Sequence, residues 1–300
     1  MKQIAGTFLI ALSLVPAAAV ALQTETTPLE SQTVDPALLQ TVAEQLPEAN
    51  AVDSAFLNTD YDPYLTLNQD ANVSVTFLDE GAGYNNSLGW LTFNEGAFDG
   101  LSKGDIDSDG SGVVSLDELS VIEGVDVGWL YPNVSESGGG GSLLPGDTVQ
   151  VGDGTLAAGT SVSFFLAQNA WDGGDLVDDA VLSGDTQLFY GLDLLNPEAD
   201  FTSTVDSNLV DARHVAMLFA DASQEQVIMG FEDLNRIDST SNDYGYRSDE
   251  DFNDAVFIIN SDPAGAFGDS NIATAPVPPL GGGLLGLLLL AGLTRLPKRT

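Results

Sequence analysis

Short apolar segments, separated by turns rich in glycine and aspartate, follow one another through most of the 300-residue chain. Some alternate with polar residues, as Val73, Val75 and Phe77 do, and others are continuous apolar runs. Further segments of this kind lie at 88–93, 127–131, 148–151, 161–166, 187–190, 214–219, 226–231 and 255–259. Many short strands with such punctuation predict a mainly β chain, with an antiparallel β-sandwich or jelly-roll-like domain over residues 65–262.

The segments around these strands differ in character. Residues 22–64 are predicted to form a flexible lead-in. Within it, apolar residues at helical spacing after Pro36 predict a short helix over 36–45. Residues 263–275 are predicted to be a linker. Residues 94–126 interrupt the β pattern, and they far exceed the two to five residues or so of a hairpin loop. We therefore expect this insertion to have a structure of its own.

The first 21 residues have the three parts of a secretory signal peptide in order. Lys2 supplies the positive start, residues 4–15 are apolar, and Ala19 and Ala21 form an A-x-A cleavage site. The alternative is a short buried helix.

The C-terminal residues 276–300 combine a proline-rich motif, an apolar run over 280–293 and a basic tip. The run predicts an apolar helix, shorter than the roughly 20 residues of a comfortable membrane span. This end resembles the bacterial sorting tails that an exosortase-type membrane enzyme cuts, which carry Val-Pro-Leu-Pro or Pro-Glu-Pro where this chain has Val277-Pro278-Pro279. The resemblance implies a membrane sorting protease as partner and delivery to the cell surface or the extracellular space. A permanent C-terminal anchor is the alternative.

Carboxylates dominate the charge, because 45 Asp and Glu face 8 Lys and Arg, for a formal net charge of −37. Both ends lack acidic residues, so residues 22–274 carry all 45 acidic and only four basic residues, which gives −41. This balance excludes nucleic acids and anionic membrane surfaces as partners. The absence of cysteine excludes disulfides and thiol chemistry, and the single histidine, His214, excludes a multi-histidine metal site. A hydrophobic fraction of 43% predicts a folded chain, for which calcium is the expected counter-ion.

The insertion contains the sequence DSDGSGVVSLDE at 107–118, which fits the twelve-residue EF-hand calcium loop. In that loop, alternate oxygens wrap a hard cation, glycine at position 6 makes the sharp turn, and a bidentate Glu at position 12 closes the site. The predicted ligands, at positions 1, 3, 5, 7 (backbone carbonyl), 9 and 12, are Asp107, Asp109, Ser111, Val113, Ser115 and Glu118.

The flanks of this loop predict a short entering helix over 97–101 and an exiting helix over 116–122. Because a second EF-hand loop is not visible in the sequence, we expect a structural extracellular site, with a dissociation constant of roughly 10⁻⁴ to 10⁻³ M. The alternative is a solvated Asp/Gly/Ser turn that binds no ion.

A second group of oxygen ligands lies near the end of the predicted β domain. Asp249, Asp251 and Asn253 are spaced at i, i+2 and i+4, which turns three side chains the same way in extended backbone. If the adjacent predicted strands pair, this group meets Glu232 and Asp233. The predicted calcium ligands here are Glu232, Asp233, Asp249, Asp251, Asn253 and Asp254. The alternative is that these side chains only cap turns.

The same region resembles the bacterial family called domain of unknown function 4114. The matching motifs are Phe-Glu-Asp-Leu at 231–234 and Ser-Asp-Glu-Asp-Phe-Asn-Asp at 248–254, supported by 161–171 and by 73–90. Such domains accompany exported, calcium-binding surface or matrix proteins. The resemblance therefore implies a β-rich calcium module and no particular reaction.

No residue pattern predicts catalysis. A G-x-S-x-G elbow is absent from the sequence, His214 lies in an apolar strand, and no pair of carboxylates is singled out for a glycosidase. Several aromatic residues in or near predicted strands are expected to be mainly core, or to line a sugar-binding surface. They are Trp90, Trp129, Trp171, Tyr84, Tyr131 and Tyr190.

We therefore predict a non-catalytic, calcium-binding exported protein of the cell surface or extracellular matrix with a structural or adhesive role. Calcium is the predicted cofactor, and extracellular polysaccharide or surface proteins are the predicted partners. A calcium-dependent carbohydrate-binding module is the alternative, and a glycoside hydrolase comes third.

Overall fold

The structure is a computed structural model that describes residues 28–29, 31–48, 50–58, 60–173, 187–199, 212–237 and 248–276. The predicted signal peptide at 1–21 and all but the first residue of the predicted C-terminal tail lie outside these ranges. Within the described residues, none of the helices is both long enough and apolar enough to cross a membrane.

The prediction of a mainly β chain is confirmed, and the nine segments expected to be strands coincide with β3 to β11. The described strands are β1 Pro28–Leu29, β2 Leu65–Thr66, β3 Asn72–Asp79, β4 Ser87–Phe93, β5 Val125–Tyr131, β6 Thr148–Gln150, β7 Ser161–Ala167, β8 Leu188–Tyr190, β9 Val215–Phe219, β10 Gln226–Phe231, β11 Ala255–Asp262 and β12 Ala273–Thr274. The described α-helices are α1 Pro36–Gln45, α2 Lys103–Ile106 and α3 Leu116–Ser120. Single 3₁₀ turns lie at Ser54–Leu57 and Asp193–Leu195.

The strands form two sheets. The larger has the order β1-β6-β3-β11-β10-β9-β12, which places β1 and β12 at its opposite edges. Its pairs are antiparallel, apart from the parallel pair of β12 with β9. In the smaller sheet, β7 pairs with β4 on one side and with β2 and β8 on the other, and β5 pairs with β4.

The two sheets share one buried apolar layer, as expected of two sheets packed face to face. Inward residues of the larger sheet meet those of the smaller sheet in a single hydrophobic cluster, which includes Val75, Phe77, Phe164, Leu166, Met217, Met229, Phe257 and Ile259. Residues 161–167 are buried throughout rather than alternately, because the insertion covers the outer face of β7. This explains why several strands are continuous apolar runs.

The folded unit extends beyond 65–262 on both sides, which differs from the predicted flexible lead-in at 22–64 and linker at 263–275. On the outer face of the larger sheet, an apolar strip of β9 to β11 is covered by α1 and the first 3₁₀ turn. After β11, Phe267 and Ile272 enter the layer between the sheets, and β12 adds an edge strand. The sheet has apolar side chains on both faces, so the flanking segments must cover one of them.

The insertion between β4 and β5 has helices at places other than those predicted. In the range 97–101, expected to be the entering helix, residues 97–100 form turns, and α2 begins only at Lys103. Gly96 and Gly100 adopt φ angles of 79° and 73°, which an α-helix does not contain. The exiting helix α3 ends at Ser120, two residues before the predicted Ile122.

Candidate metal centres

The loop at 107–118 follows α2, runs into the first turn of α3 and brings three of its acidic residues together. Carboxylate oxygens of Asp107, Asp109 and Glu118 lie within 4.8 Å of one another. Two oxygens bound to one calcium ion are separated by at most about 4.6–5.2 Å, because each calcium–oxygen distance is about 2.3–2.6 Å. The three carboxylates are therefore close enough to coordinate a single ion.

Backbone N–H groups hold the first half of this loop in a tight turn. The Ser111 N–H donates to Asp107 Oδ1 at 3.0 Å and to Asp109 Oδ1 at 2.8 Å. Gly112, at a φ of 88°, donates its N–H to Asp107 Oδ2 at 2.9 Å. The Ser111 hydroxyl donates to the Val113 carbonyl at 2.9 Å, so the predicted ligands at positions 5 and 7 lie side by side. The sharp turn expected from glycine at position 6 is present.

Glu118 joins the two ends of the loop. Its Oε1 accepts a hydrogen bond from the Ser108 N–H at 2.6 Å, and its Oε2 accepts one from the Ser115 N–H at 2.9 Å. Ser115 is also the N-cap of α3, with its hydroxyl 3.0 Å from Glu118 Oε2. Partial burial raises the pKa of Glu118, but the hydrogen bonds from Ser115 and Ser108 outweigh it and lower the pKa below its usual value. The carboxylate is therefore ionised and already placed at the closing position.

The apolar side of the loop rests on the smaller sheet. Val114, at loop position 8, is fully buried in a cluster with Leu116, Leu119 and residues of β4, β5 and β7. Its carbonyl accepts a hydrogen bond from the Tyr190 hydroxyl of β8 at 2.6 Å. The sheet thus fixes the position of the loop.

The second set of predicted ligands is also brought together, and we call it the acid centre. It forms where β10 ends and β11 begins, because these strands pair up to Phe231 and Ala255. The intervening residues 238–247 lie outside the described ranges. The members of the acid centre are Glu232, Asp233, Asp249, Asp251, Asn253 and Asp254.

Carboxylate oxygens of the acid centre gather in two groups. In one group, Glu232, Asp249 and Asp251 have oxygens within 4.8 Å of one another. In the other group, Glu232, Asp233 and Asp254 have oxygens within 4.8 Å of one another. Asn253 donates its Nδ2 to Glu48 Oε2 at 2.8 Å, a contact that does not use Oδ1, the atom with which an amide binds a cation.

Hydrogen bonds tie the acid centre to the smaller sheet as well. The Asn86 Nδ2, just before β4, donates to Asp233 Oδ2 at 2.7 Å, and the Gln168 Nε2, just after β7, donates to the Asp233 carbonyl at 2.6 Å. The Asp233 N–H in turn donates to Asp254 Oδ2 at 2.7 Å. Sequence reasoning missed Asn86 and Gln168, because nothing in their local pattern shows that they face Asp233 across the two sheets.

Glu232 is the most constrained member of the acid centre. Its side chain is buried, Oε1 accepts a bond from the Leu234 N–H at 3.3 Å, and Oε2 has no hydrogen-bond partner among the described residues. Burial raises the pKa of Glu232 to about 8, although a hydrogen bond between the Ser248 side chain and the carboxyl group acts in the opposite direction; the charges of Asp233, Asp249 and Asp251 contribute to the rise. A buried carboxylate oxygen without a partner carries a large desolvation cost, which a bound cation or a proton would offset.

The neighbouring carboxylates show the same effect. Burial raises the pKa of Asp233 to about 6, although the Asn86 hydrogen bond and the charge of His214 act in the opposite direction. Burial also raises the pKa of Asp254, with Asp233 and Glu232 as further causes. The acid centre therefore disfavours its own full ionisation when no cation is bound.

His214 lies beside the acid centre with both ring nitrogens engaged. Its Nδ1 is 2.9 Å from the Glu232 carbonyl oxygen, and its Nε2 is 3.2 Å from both carboxylate oxygens of Glu198. The buried ring also stacks on Phe189, with centroids 4.1 Å apart. These contacts hold the imidazole as a packed core group, which leaves oxygen atoms as the ligands that the acid centre offers.

Of the aromatic residues considered for a sugar-binding surface, Trp129, Tyr131 and Tyr190 are buried. The half-buried Trp171 lines an open groove of about 610 Å³ together with Tyr131, Asn133 and the glycine-rich loop around Gly140. A concave groove lined by aromatic and polar side chains can hold a small organic ligand.

Comparison with known proteins gives one match. Residues 156–262 match the family described as Domain of unknown function (DUF4114). No protein of curated function and no solved structure is similar enough to be matched. The resemblance expected from the motifs is confirmed over these residues, whereas its expected extension to about 73–93 and 127–155 stays a prediction. The matched part runs from just before β7 to the end of β11, so the part of the chain that carries the acid centre is similar to DUF4114.

Proposed function

We propose that this chain is a calcium-binding protein whose fold is stabilised by calcium at the acid centre and at the loop 107–118. The observation that carries the proposal is the buried Glu232 Oε2, which lacks a partner among the described residues and is surrounded by other carboxylates. A cation satisfies this atom and removes the repulsion at the same time.

The donor set favours calcium over other metals. Both candidate centres consist of carboxylate, hydroxyl and carbonyl oxygens, which suit hard cations, whereas zinc and copper prefer imidazole and thiolate. The chain contains no cysteine, and its one histidine is occupied by Glu198 and the Glu232 carbonyl. Magnesium requires a tight octahedral arrangement and retains several waters, so clusters of many carboxylates suit it less.

The wider role that we propose is structural or adhesive and non-catalytic. It is supported by the sequence pattern of a signal peptide at 1–21 and of a sorting tail at 276–300, which together predict delivery to the cell surface or the extracellular matrix. Calcium at millimolar concentration outside the cell suits sites of modest affinity.

Removal of calcium is expected to lower the melting temperature of the full chain. If free calcium is about 100 times the dissociation constant of one site, binding adds about 2.7 kcal/mol, or about 5–10 °C for a domain of this size. Differential scanning calorimetry in calcium, in magnesium and in EGTA measures this, and magnesium is expected to have a smaller effect. An identical melting temperature in calcium and EGTA contradicts the proposal.

The substitution Glu118→Gln is expected to weaken calcium binding at the loop 107–118 by about 10–100-fold, because a charged bidentate ligand becomes a neutral amide. Isothermal titration calorimetry measures the affinity. Asp117→Asn is the matched control, since this exposed neighbour removes the same charge outside the predicted ligand positions. Equal affinities of the two variants at this loop contradict the predicted register.

A calcium-dependent carbohydrate-binding module is the second candidate, favoured by the groove that Trp171 lines. The two candidates are distinguished by a glycan array in millimolar calcium. Binding that is lost in the variant Trp171→Ala supports the carbohydrate-binding role, and absence of any bound glycan excludes it.

A further inference from the structure

The two carboxylate groups of the acid centre meet at one side chain. Glu232 belongs to both, with Asp249 and Asp251 on one side and with Asp233 and Asp254 on the other. Within each group, the oxygens lie within 4.8 Å of one another, which is no farther apart than two oxygens on opposite sides of one calcium ion, about 4.6–5.2 Å. Each group thus has the dimensions of a separate ion site.

The charge of the acid centre also exceeds what one ion compensates. Five carboxylates contribute up to five negative charges. One divalent ion therefore leaves three negative charges uncompensated, and two divalent ions leave one. Three of the five, those of Glu232, Asp233 and Asp251, are almost fully shielded from solvent, where repulsion is weakly screened. The nearby arginines serve other acids, since Arg236 pairs with Glu250 and Arg213 with Asp193.

A second observation does not depend on charge: Glu232 Oε2 has no hydrogen-bond partner among the described residues. A carboxylate that bridges two ions uses one oxygen for each or shares one between both, and it needs no hydrogen bond from the protein at that atom. The side chain is buried and points into a cluster in which both ion-sized groups lie.

We propose that the acid centre binds two calcium ions that share the carboxylate of Glu232. This inference rests on the proposed calcium-binding function and concerns the number of ions. The outer ion lies with Asp249, which is exposed, and Asp251. The inner ion lies with Asp233 and Asp254, where the Asn86 hydrogen bond to Asp233 fixes the position of one ligand. The outer ion is expected to exchange faster, because Asp249 is exposed whereas Asp254 is half-buried.

Equilibrium dialysis of the full chain against radioactive calcium at a saturating free concentration counts the ions directly. Relative to wild type, Glu232→Gln is expected to lose two ions, whereas Asp249→Asn and Asp254→Asn are each expected to lose one. Asp153→Asn, at an exposed turn after β6, is the control and is expected to lose none. Circular dichroism of each variant establishes that it is folded.

The double variant Asp249→Asn/Asp254→Asn decides the question independently of Glu232. A loss of two ions supports two sites, and a loss of the same single ion by both single variants and the double variant overturns the inference. That second result leaves calcium binding by the acid centre intact. If none of these variants loses an ion, the acid centre binds no calcium and this part of the proposed function fails with the inference.

Discussion

Glu232→Gln is expected to raise the melting temperature of the calcium-free protein at pH 8 by about 5–10 °C, although it removes a predicted metal ligand. Burial first, and then the charges of neighbouring carboxylates, raise the pKa of Glu232 to about 8 in the folded chain, against an ordinary value of 4.5. Near pH 8 the folded protein must therefore hold an unfavourable buried charge. A neutral glutamine of the same shape avoids that cost.

The pH dependence follows from the direction of the shift. Because the folded state holds the Glu232 proton more tightly than the unfolded state, the wild-type protein without calcium loses stability as the pH rises from about 4.5 to 8. Melting curves in calcium-stripped buffer between pH 5 and 8 are expected to show this fall. The advantage of Glu232→Gln is expected to shrink towards pH 5, where the wild-type side chain is protonated.

Saturating calcium is expected to reverse the order of the two proteins. Calcium is expected to stabilise the ionised carboxylates of the wild type, whereas the variant lacks the proposed shared ligand. Glu118→Gln is the matched control, because hydrogen bonds lower the pKa of Glu118 despite its partial burial, so the ionised form stabilises the fold. The substitution Glu118→Gln removes this stabilising charge and is therefore expected to lower the melting temperature of the calcium-free protein. A calcium-free Glu232→Gln protein that melts below wild type at pH 8 contradicts the assigned environment.

Gly230→Ala is expected to destabilise the fold by about 3 kcal/mol and to abolish calcium binding at the acid centre. A Cβ atom added to Gly230 of β10 lies 2.1 Å from the backbone oxygen of Phe252 and 2.7 Å from Leu46 Cδ1. Phe252 is fully buried between Asp251 and Asn253, so the segment that carries the ligands must move. The backbone oxygen of Phe252 cannot rotate away from the added Cβ atom as the end of a flexible side chain can.

Gly154→Ala is the matched control for this substitution. Gly154 has no atom within 4 Å of an added Cβ and no positive φ, so alanine is expected to be tolerated there. Urea unfolding measures the free energy of each variant, and calcium titration measures its ligand affinity. Wild-type stability of Gly230→Ala would show that β10 and the segment around Phe252 are not in close contact.

Much of the fold follows from local pattern, because apolar strands and Gly/Asp turns are set by neighbouring residues. The helix α1 and strands β3 to β11 were predictable for this reason. The packing of α1 was not predictable from the sequence. The apolar surface that α1 covers forms only when β9 and β10 pair, and it lies around Ala216, Leu218 and Ile228. The packing of Phe267, in the predicted linker 263–275, was not predictable for a related reason, because its side chain packs only between the assembled sheets.

The two candidate centres differ in the same way. All predicted ligands of the loop 107–118 lie within twelve residues, so spacing alone predicts their arrangement. The acid centre depends on the pairing of β10 with β11, which the sequence suggested, and on Asn86 and Gln168, which reach it from the other sheet. The partnerless Glu232 Oε2 is a property of tertiary burial, and no sequence pattern indicates it.

The placement of β1 and β12 at opposite edges of the larger sheet has a mechanical consequence. Tension between the two ends of the described chain is transmitted across the whole sheet, over six strand spacings of about 4.8 Å each. The outermost pairs, each two residues long, bear this force first and separate before the longer pairs of β3, β11 and β10. A protein held at its C-terminus under shear would therefore yield at its edges while the strands around the acid centre stay paired.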